Sequence, residues 1–424
     1  MLDIKFIREN KELVKKGCQN KGVEVDIERI IDLDQKRRRM LTELEKLRAE
    51  KNRASKIIAS AESQQKKGEI ISEMKEIDKR EDSLREEFNK TERELNDLLL
   101  RVPNLPLDEV PVGKDESENV VLKEVGKRPE FRFPPRDYLD LAQNLDLIDI
   151  KRAAKIAGTR FGFLKREAVL LEFALIKLAF DELTKQGFIP LVTPVMIKPE
   201  MMRGMGYVER GEDEIYYLER DNLYLAGTTE QVIGAMHADE VFEEKQLPLR
   251  YVGFSTWFRR EAGSYGRESW GIFRVHQFDG VEMFSFSHPE KSIQEHQFLL
   301  SLEEKLMKLL KIPYRVLDIC TGDLGDPAAA KYDIEAWMPS QGRWRETHST
   351  SNCTDFQSRR LNIRYKDKQS KKLKFVHTLN GTAFAIGRML IAIIENYQQK
   401  DGSIKVPSVL KKYLKFSVIK KKKR

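Results

Sequence analysis

The sequence predicts an α+β protein: an N-terminal antiparallel α-helical coiled-coil hairpin, then a larger domain on an antiparallel β-sheet. Three observations point there. Residues 27–102 hold no proline, one glycine (Gly68) and one aromatic residue (Phe88), and repeat apolar residues in steps of three and four. Six of the chain's fifteen prolines then crowd between Pro103 and Pro135. Past them lie all four tryptophans, in a region where helical and strand-like segments mix without strand–helix–strand alternation.

In the first block the apolar seam runs Ile30, Leu33, Met40, Leu44, Leu47, Ala54, Ile58 and Ala61, with Arg37 and Lys51 at the skipped positions. It resumes at Ile70, Met74, Ile77, Leu84, Phe88, Leu95, Leu98 and Val102, with Glu81 and Thr91 off the pattern. A 3.5-residue period sustained this long is a coiled-coil seam. The polar break ESQQKKGE, containing Gly68, places the reversal. Each helix of ~33 residues would reach about 50 Å at 1.5 Å per residue. Its charged surface reads either as a solvated face or as a lever toward something large.

Val102-Pro103 closes the block, because helices stop at such sequence. Residues 103–135 read as a linker with some extended structure. In the body, 165–186 is a long amphipathic helix ended by Gly187, and FIPLVTPVM follows as a strand interrupted by prolines. Residues 250–258 and 273–286 are two strands joined by the loop Arg259 to Ile272. Residues 373–379 are another strand, with Asn380-Gly381 turning into a helix from Thr382 to Gln398. The division is 1–102 coiled-coil domain, 103–135 linker, 136–414 globular domain and 415–424 basic tail.

Composition narrows the class. At 40% hydrophobic and 34% charged, the 424-residue chain is neither collagen-like, disordered nor a disulfide scaffold. Cys18, Cys320 and Cys353 form no C-x-x-C pair, and no histidines sit in H-E-x-x-H spacing. The longest apolar stretch, Ala168 to Phe180, is broken by Glu172 and Lys177, so no membrane span is expected. The opening MLDIKFIREN lacks the pattern of a signal peptide, which makes cytoplasmic residence the expectation. The last fourteen residues carry eight Lys or Arg and no acid, which accounts for the whole net charge of +8. The basic tail is either a solvated terminus or a nucleic-acid contact.

Three short stretches carry chemistry. Phe258-Arg259-Arg260-Glu261-Ala262-Gly263-Ser264 faces Arg274-Val275-His276-Gln277-Phe278 across a hairpin. An arginine fork suits phosphate oxygens, and a phenylalanine offers a flat surface for a base. Taken alone, the same residues fit surface ion pairs and core packing. In Glu346-Thr347-His348-Ser349, a carboxylate and a hydroxyl three residues apart fit Mg²⁺, which keeps waters and takes few protein ligands. Arg388, about two turns inside an apolar helix after Asn380-Gly381-Thr382, demands a partner. The chain has neither G-x-x-x-x-G-K-[ST] nor a G-x-G-x-x-G that opens a helix, so any nucleotide binds by another route.

Together, FRREAG, FRVHQF and NGTAFAIGRMLIAIIENYQ resemble motifs 2 and 3 of class II aminoacyl-tRNA synthetases. GFIPLVTPVM resembles motif 1. LAGTTEQ, YDIEAWMPSQGRWRETHSTSNCTDFQSRRLNIRY, LDIKFIREN and the P-N-L-P linker are similar to the seryl-tRNA synthetase family in particular. The resemblance runs from residue 1 to about 414.

The resemblance implies a class II catalytic domain that binds ATP, Mg²⁺ and L-serine. It also implies a homodimer formed through the helix before Gly187, and a coiled-coil arm that grips tRNA(Ser), and tRNA(Sec) where present. Arg259 would hold the α-phosphate with Arg260 beside it, Glu261 would contact adenine, and Phe278 would stack on the base framed by Val275. Glu346, Thr347, His348 and Ser349 would line the ATP site, with Glu346 and Ser349 helping to bind Mg²⁺. Arg274 and Arg388 would take the terminal phosphates. Thr228, Thr229 and Glu230 would receive the serine amino group, and Glu282, Asn380 and Thr382 would frame its side chain. Arg259, Glu346 and Arg388 would be the catalytic residues. Two positions depart from the family's pattern: His348 replaces a serine, and Thr229 replaces an alanine or serine. A ligase loading a carrier-protein thiol would lack the arm, and a non-catalytic paralogue would have lost Arg259, Glu346 or Arg388.

Overall fold

A computed structural model describes residues 1–60, 63–262 and 271–421. The chain divides into two units, Met1–Pro103 and Asn104–Arg424. In the first, short helices Ile4–Glu9 and Lys11–Asn20 precede two long ones, α1 (Ile27–Ser60) and α2 (Gln64–Arg101). Ile30, Leu33, Met40, Leu44 and Leu47 of α1 are buried, as are Leu95 and Leu99 of α2.

Ion pairs spaced by seven residues fix the antiparallel register: Arg29–Glu94 at 2.6 Å, Lys36–Glu87 at 2.6 Å and Arg80–Glu43 at 3.1 Å. Polar residues that interrupt the seam answer one another. Lys51 meets Glu81 at 2.9 Å and Arg85 meets it at 2.6 Å, and these hydrogen bonds hold the Glu81 carboxyl down to about 2. Such pairs contribute ~0–1 kcal/mol each, so their role is register rather than stability.

The reversal is not at Gly68, which lies inside α2. Its neighbours Gln65, Lys67 and Glu69 are good helix formers, and the glycine penalty of ~1 kcal/mol does not stop propagation. The expected seam residue Ala61, like Glu62, lies outside the described residues.

An eight-stranded sheet organises the second unit. Its strands are β1 (Val120–Val125), β2 (Ile189–Val192), β3 (Leu249–Phe258), β4 (Gln277–Ser287), β5 (Tyr314–Asp318), β6 (Ala330–Met338), β7 (Arg343–Asn352) and β8 (His377–Ala385). The spatial order is β1-β5-β6-β7-β8-β4-β3-β2. Every pairing is antiparallel except that of β2 with β3 at the edge, where Pro190 costs no ladder bond on the open side. Four helices matter for the site: α3 (Glu167–Thr184), α4 (Thr229–Ala235), α5 (Ser292–Leu310) and α6 (Ile386–Asn396). Leu175 and Leu178 of α3, Leu299 and Met307 of α5, and Met389 and Ile393 of α6 bury against Val281, Met283 and Ile334 of the sheet. Strand alternation sends the neighbours of those sheet residues to the opposite face.

Several expected boundaries move. Residues 377–385 stay in one strand through Asn380-Gly381, because β8 pairs with β4 on one side and β7 on the other. The helix therefore starts at Ile386, and Arg388 sits in its first turn rather than two turns inside it. Phe273–His276 precede β4 instead of belonging to it, and the loop residues Gly263–Trp270 lie outside the described residues.

The stretch 103–135 is tied to the body. The Asn104 amide donates to the carbonyls of Pro327 at 2.9 Å and Cys353 at 2.8 Å, and β1 extends the sheet by pairing with β5. In the basic tail, Val418–Ile419 pair with Ile404–Lys405 and Ile419 is buried, while Lys422 to Arg424 lie outside the described residues. Among the described residues no helix is long and apolar enough to cross a membrane.

Candidate active site

The face of the sheet away from α3 and α5 opens into a cavity of about 590 Å³, to which the first turn of α6 contributes. Gly381 shows how the two faces divide. A Cβ there would point at Glu303 of α5, while Asn380 and Thr382 on either side line the cavity.

One polar group gathers around the start of α4. Thr228 caps this helix, its hydroxyl accepting from the Glu230 N–H at 3.2 Å and donating to the Glu282 carboxyl. The Glu230 N–H also reaches Glu282 Oε2 at 3.0 Å. Glu230 accepts from the Tyr207 hydroxyl at 2.7 Å and from the Gln357 amide at 2.9 Å. Burial raises both carboxyls. At Glu230 the effect is opposed by Gln357, Tyr207 and Asn380, whereas at Glu282 the charge of Glu230 reinforces it.

A second group lies where β3 and β4 leave the sheet. The Arg259 N–H donates to His276 O at 3.0 Å, and its side-chain Nε to Gly227 O at 3.0 Å. Its guanidinium lies 5.4 Å from the Phe278 ring centre, a cation–π distance. Arg274 pairs with Glu261 at 3.4 Å, and Val275 is a buried part of the wall.

The third group depends on a backbone irregularity. Ile334 faces His348 and Glu335 faces Glu346, so Thr347 is an extra residue in β7, a β-bulge. In a regular strand, residues three apart point to opposite faces. With the bulge, Glu346 and Ser349 both line the cavity. Arg388 reaches Glu346 at 3.2 Å. Burial works against the charged form of Glu346, but Arg388, Lys331 and Arg259 hold its carboxyl below the usual range. An ionised carboxylate half open to the cavity, with the Ser349 hydroxyl on the same wall, fits Mg²⁺, which takes one or two protein oxygens and fills the rest with water and phosphate.

Two of the expected ligands lie away from the cavity, and a third lines it without presenting a charge. Thr229 is fully buried and bonds Ser255 at 2.9 Å and the Trp257 indole at 2.8 Å, outside the cavity wall. Arg260 is exposed, with its guanidinium 5.8 Å from the Tyr216 ring centre and away from that wall. His348 lines the wall, but its Nδ1 bonds the Thr347 hydroxyl at 2.9 Å and its ring packs on Phe384. Burial pushes this imidazole down to about 3, so it brings no charge to a phosphate. The Thr347 hydroxyl is also tied to Ile334 O, at 3.2 Å.

Sequence reasoning missed Tyr207 and Gln357, which hold Glu230, and Lys331, which lines the cavity 3.4 Å from Asp333. The Lys331-x-Asp333 spacing on one strand face was the available signal for that last pair. Nothing local marks Tyr207.

An antiparallel sheet with this arginine, carboxylate and aromatic constellation is that of a class II aminoacyl-tRNA synthetase. Residues 216–397 match the family model "tRNA synthetase class II core domain (G, H, P, S and T)", and residues 1–106 match "Seryl-tRNA synthetase N-terminal domain". Serine–tRNA ligase of Dictyoglomus turgidum is 46% identical over the full length of both chains, and that of Rubrobacter xylanophilus 44% over 99% of each. The crystal structure of seryl-tRNA synthetase from Pyrococcus horikoshii complexed with ATP superposes with a TM-score of 0.92 at 42% identity, covering 100% of both chains. Cytoplasmic serine–tRNA ligase from Naegleria fowleri, in complex with AMP, gives 0.87 at 32% identity over 100% of this chain and 99% of that one. The chain belongs to the seryl-tRNA synthetase family.

Proposed function

We propose that this chain activates L-serine with ATP and transfers it to the 3′ end of tRNA(Ser). One observation carries the assignment. A buried carboxyl pair with hydroxyl neighbours (Glu230, Glu282, Thr228) and a set of arginines with an ionised carboxylate (Arg259, Arg388, Glu346) line a single cavity.

Glu230 and Thr228 take the serine ammonium, and Glu282 with Thr382 takes its hydroxyl. The serine carboxylate then attacks the α-phosphorus. The bond from that phosphorus to the bridging oxygen breaks, and pyrophosphate leaves with the electron pair. A hydroxyl of the terminal tRNA adenosine next attacks the seryl carbonyl, and AMP departs. The first step brings two anions together, so its transition state needs positive groups already in place. Arg259 serves the α-phosphate; Arg274 and Arg388 serve the departing phosphates. Phe278 carries the adenine, framed by Val275, with Glu261 on its edge. Glu346 and Ser349 would hold Mg²⁺, whose chemistry there is neutralisation of phosphate charge. No protein nucleophile is required.

A pocket built to bond a hydroxyl rejects alanine strongly, because its own buried groups would be left unpaired. Threonine also has a hydroxyl, so its rejection is steric.

The arm of residues 1–102 binds the tRNA, and residues 136–414 do the chemistry, in the cytoplasm. A homodimer covers α3 and β2, whose Phe173 and Val192 are 60% and 81% exposed as a single chain. Charging of tRNA with labelled serine tests the whole assignment. Serine-specific, ATP-dependent ester formation supports it, and failure to form the ester in the presence of ATP, Mg²⁺ and tRNA(Ser) contradicts it.

A further inference from the structure

Two buried carboxyls, Glu230 and Glu282, share one pocket, and the hydrogen bonds around them are not symmetrical. Oε1 of Glu230 faces an amide N–H, which can only donate, and Oε2 faces a hydroxyl that donates to it. Tyr207 OH lies 2.7 Å from Oε2, and Gln357 Nε2 lies 2.9 Å from Oε1. The Gln357 amide cannot turn round. Its oxygen accepts from the Thr378 hydroxyl at 2.6 Å, and its nitrogen is also shared with Met205 O at 3.3 Å. Turning it would set a carbonyl oxygen against the Glu230 carboxylate. Gln357 and Thr378 are fully buried, so water does not substitute for these contacts.

Glu282 stands differently. Its Oε2 accepts twice, from the Thr228 hydroxyl and from the Glu230 N–H, so a proton on this carboxyl would sit on Oε1. Arg259 is the cation facing both carboxyls, and Asn380 bonds Glu230.

We propose that Tyr207, Gln357 and Thr378 are a positioning chain that keeps Glu230 ionised and aimed, so that the pair holds a single proton and that proton resides on Glu282. This rests on the reading that Glu230 receives the serine ammonium. The arrangement gives each carboxyl one role. The anion takes the ammonium, and the acid donates to the serine hydroxyl. Burial and the Glu230 carboxylate raise Tyr207 well above its ordinary value, which keeps it a donor.

The test is ATP–pyrophosphate exchange by the full chain, with KM for serine and for ATP measured separately. A hydrogen bond to a buried charge is worth roughly 10- to 100-fold in an equilibrium constant. Tyr207→Phe should therefore raise the serine KM by about that factor and leave the ATP KM within about twofold. Thr378→Val, which frees the Gln357 amide, should raise it roughly 5- to 10-fold, and Thr378→Ser should restore it. An unchanged serine KM in both Tyr207→Phe and Thr378→Val overturns the proposal, as does an ATP KM that rises in step with the serine KM. Loss of serine-dependent exchange in the unsubstituted protein would instead contradict the functional assignment itself.

Discussion

Arg388 and Glu346 are joined twice: Arg388 Nη1 lies 3.2 Å from the Glu346 carboxylate and donates to the same residue's carbonyl at 3.1 Å. The ring of Phe273 supports the guanidinium at 4.9 Å. On the proposed reading, arriving nucleotide phosphates would compete for this arginine and leave the Glu346 carboxylate to Mg²⁺. Arg388→Ala should lower kcat/KM for ATP in pyrophosphate exchange by roughly 10²- to 10³-fold, the loss typical of a group that stabilises developing charge. Arg388→Lys should recover little, because an ammonium lacks the planar fork. An unaltered ATP KM and rate in Arg388→Ala would remove this residue from the phosphate site.

Glu303 of α5 is fully buried behind Gly381, with the Thr382 N–H beside its carboxyl. Burial, then the Asp333 carboxylate, raise it well above the carboxylate range, which the Thr382 N–H opposes without outweighing. The native state therefore keeps a proton that the unfolded chain gives up above pH ~4.5, so this group costs more stability as pH rises, at most about 1.4 kcal/mol per pH unit. Glu303→Gln should melt higher than the unsubstituted protein at pH 8, with the gap closing toward pH 4.5. Thermal melts across that range decide it, and a gap that widens on acidification reverses the sign of the argument.

Residues 27–102 bury their own seam and form part of a separate unit. Replacing 30–100 with a short flexible link should abolish tRNA charging and leave serine-dependent exchange within about twofold. Parallel loss of both activities in folded protein would mean that the arm is not a tRNA lever.

Phe173 and Val192 present apolar surface on α3 and β2. Phe173→Asp or Val192→Asp should shift the mass measured by light scattering from dimer to monomer, since a charge at a packed apolar contact is left without a partner. A dimer that persists with both substitutions combined locates the interface elsewhere.

The helices were legible because apolar period and proline placement are local. The seam from Ile30 to Leu47 and the end of α2 near Val102 needed no tertiary information. What escaped depends on partners far along the chain. Asn380-Gly381 has the local chemistry of a turn, but pairing with β4 and β7 holds it extended. Glu346 and Ser349 share a face only because Thr347 bulges, and a bulge leaves no mark in a ten-residue window. Thr229 and Arg260 were drawn in by neighbours that do reach the cavity. The helix and strand directions at those points turn them away. Tyr207 reaches Glu230 from a loop that no short-range pattern connects to the site.

The most direct test of the central claim is amino-acid-dependent ATP–pyrophosphate exchange without tRNA, comparing serine, threonine, alanine and glycine. Exchange with serine, and none above background with alanine or glycine and little with threonine, is the predicted result. Exchange driven equally well by alanine, or by no amino acid at all in folded protein, would contradict it.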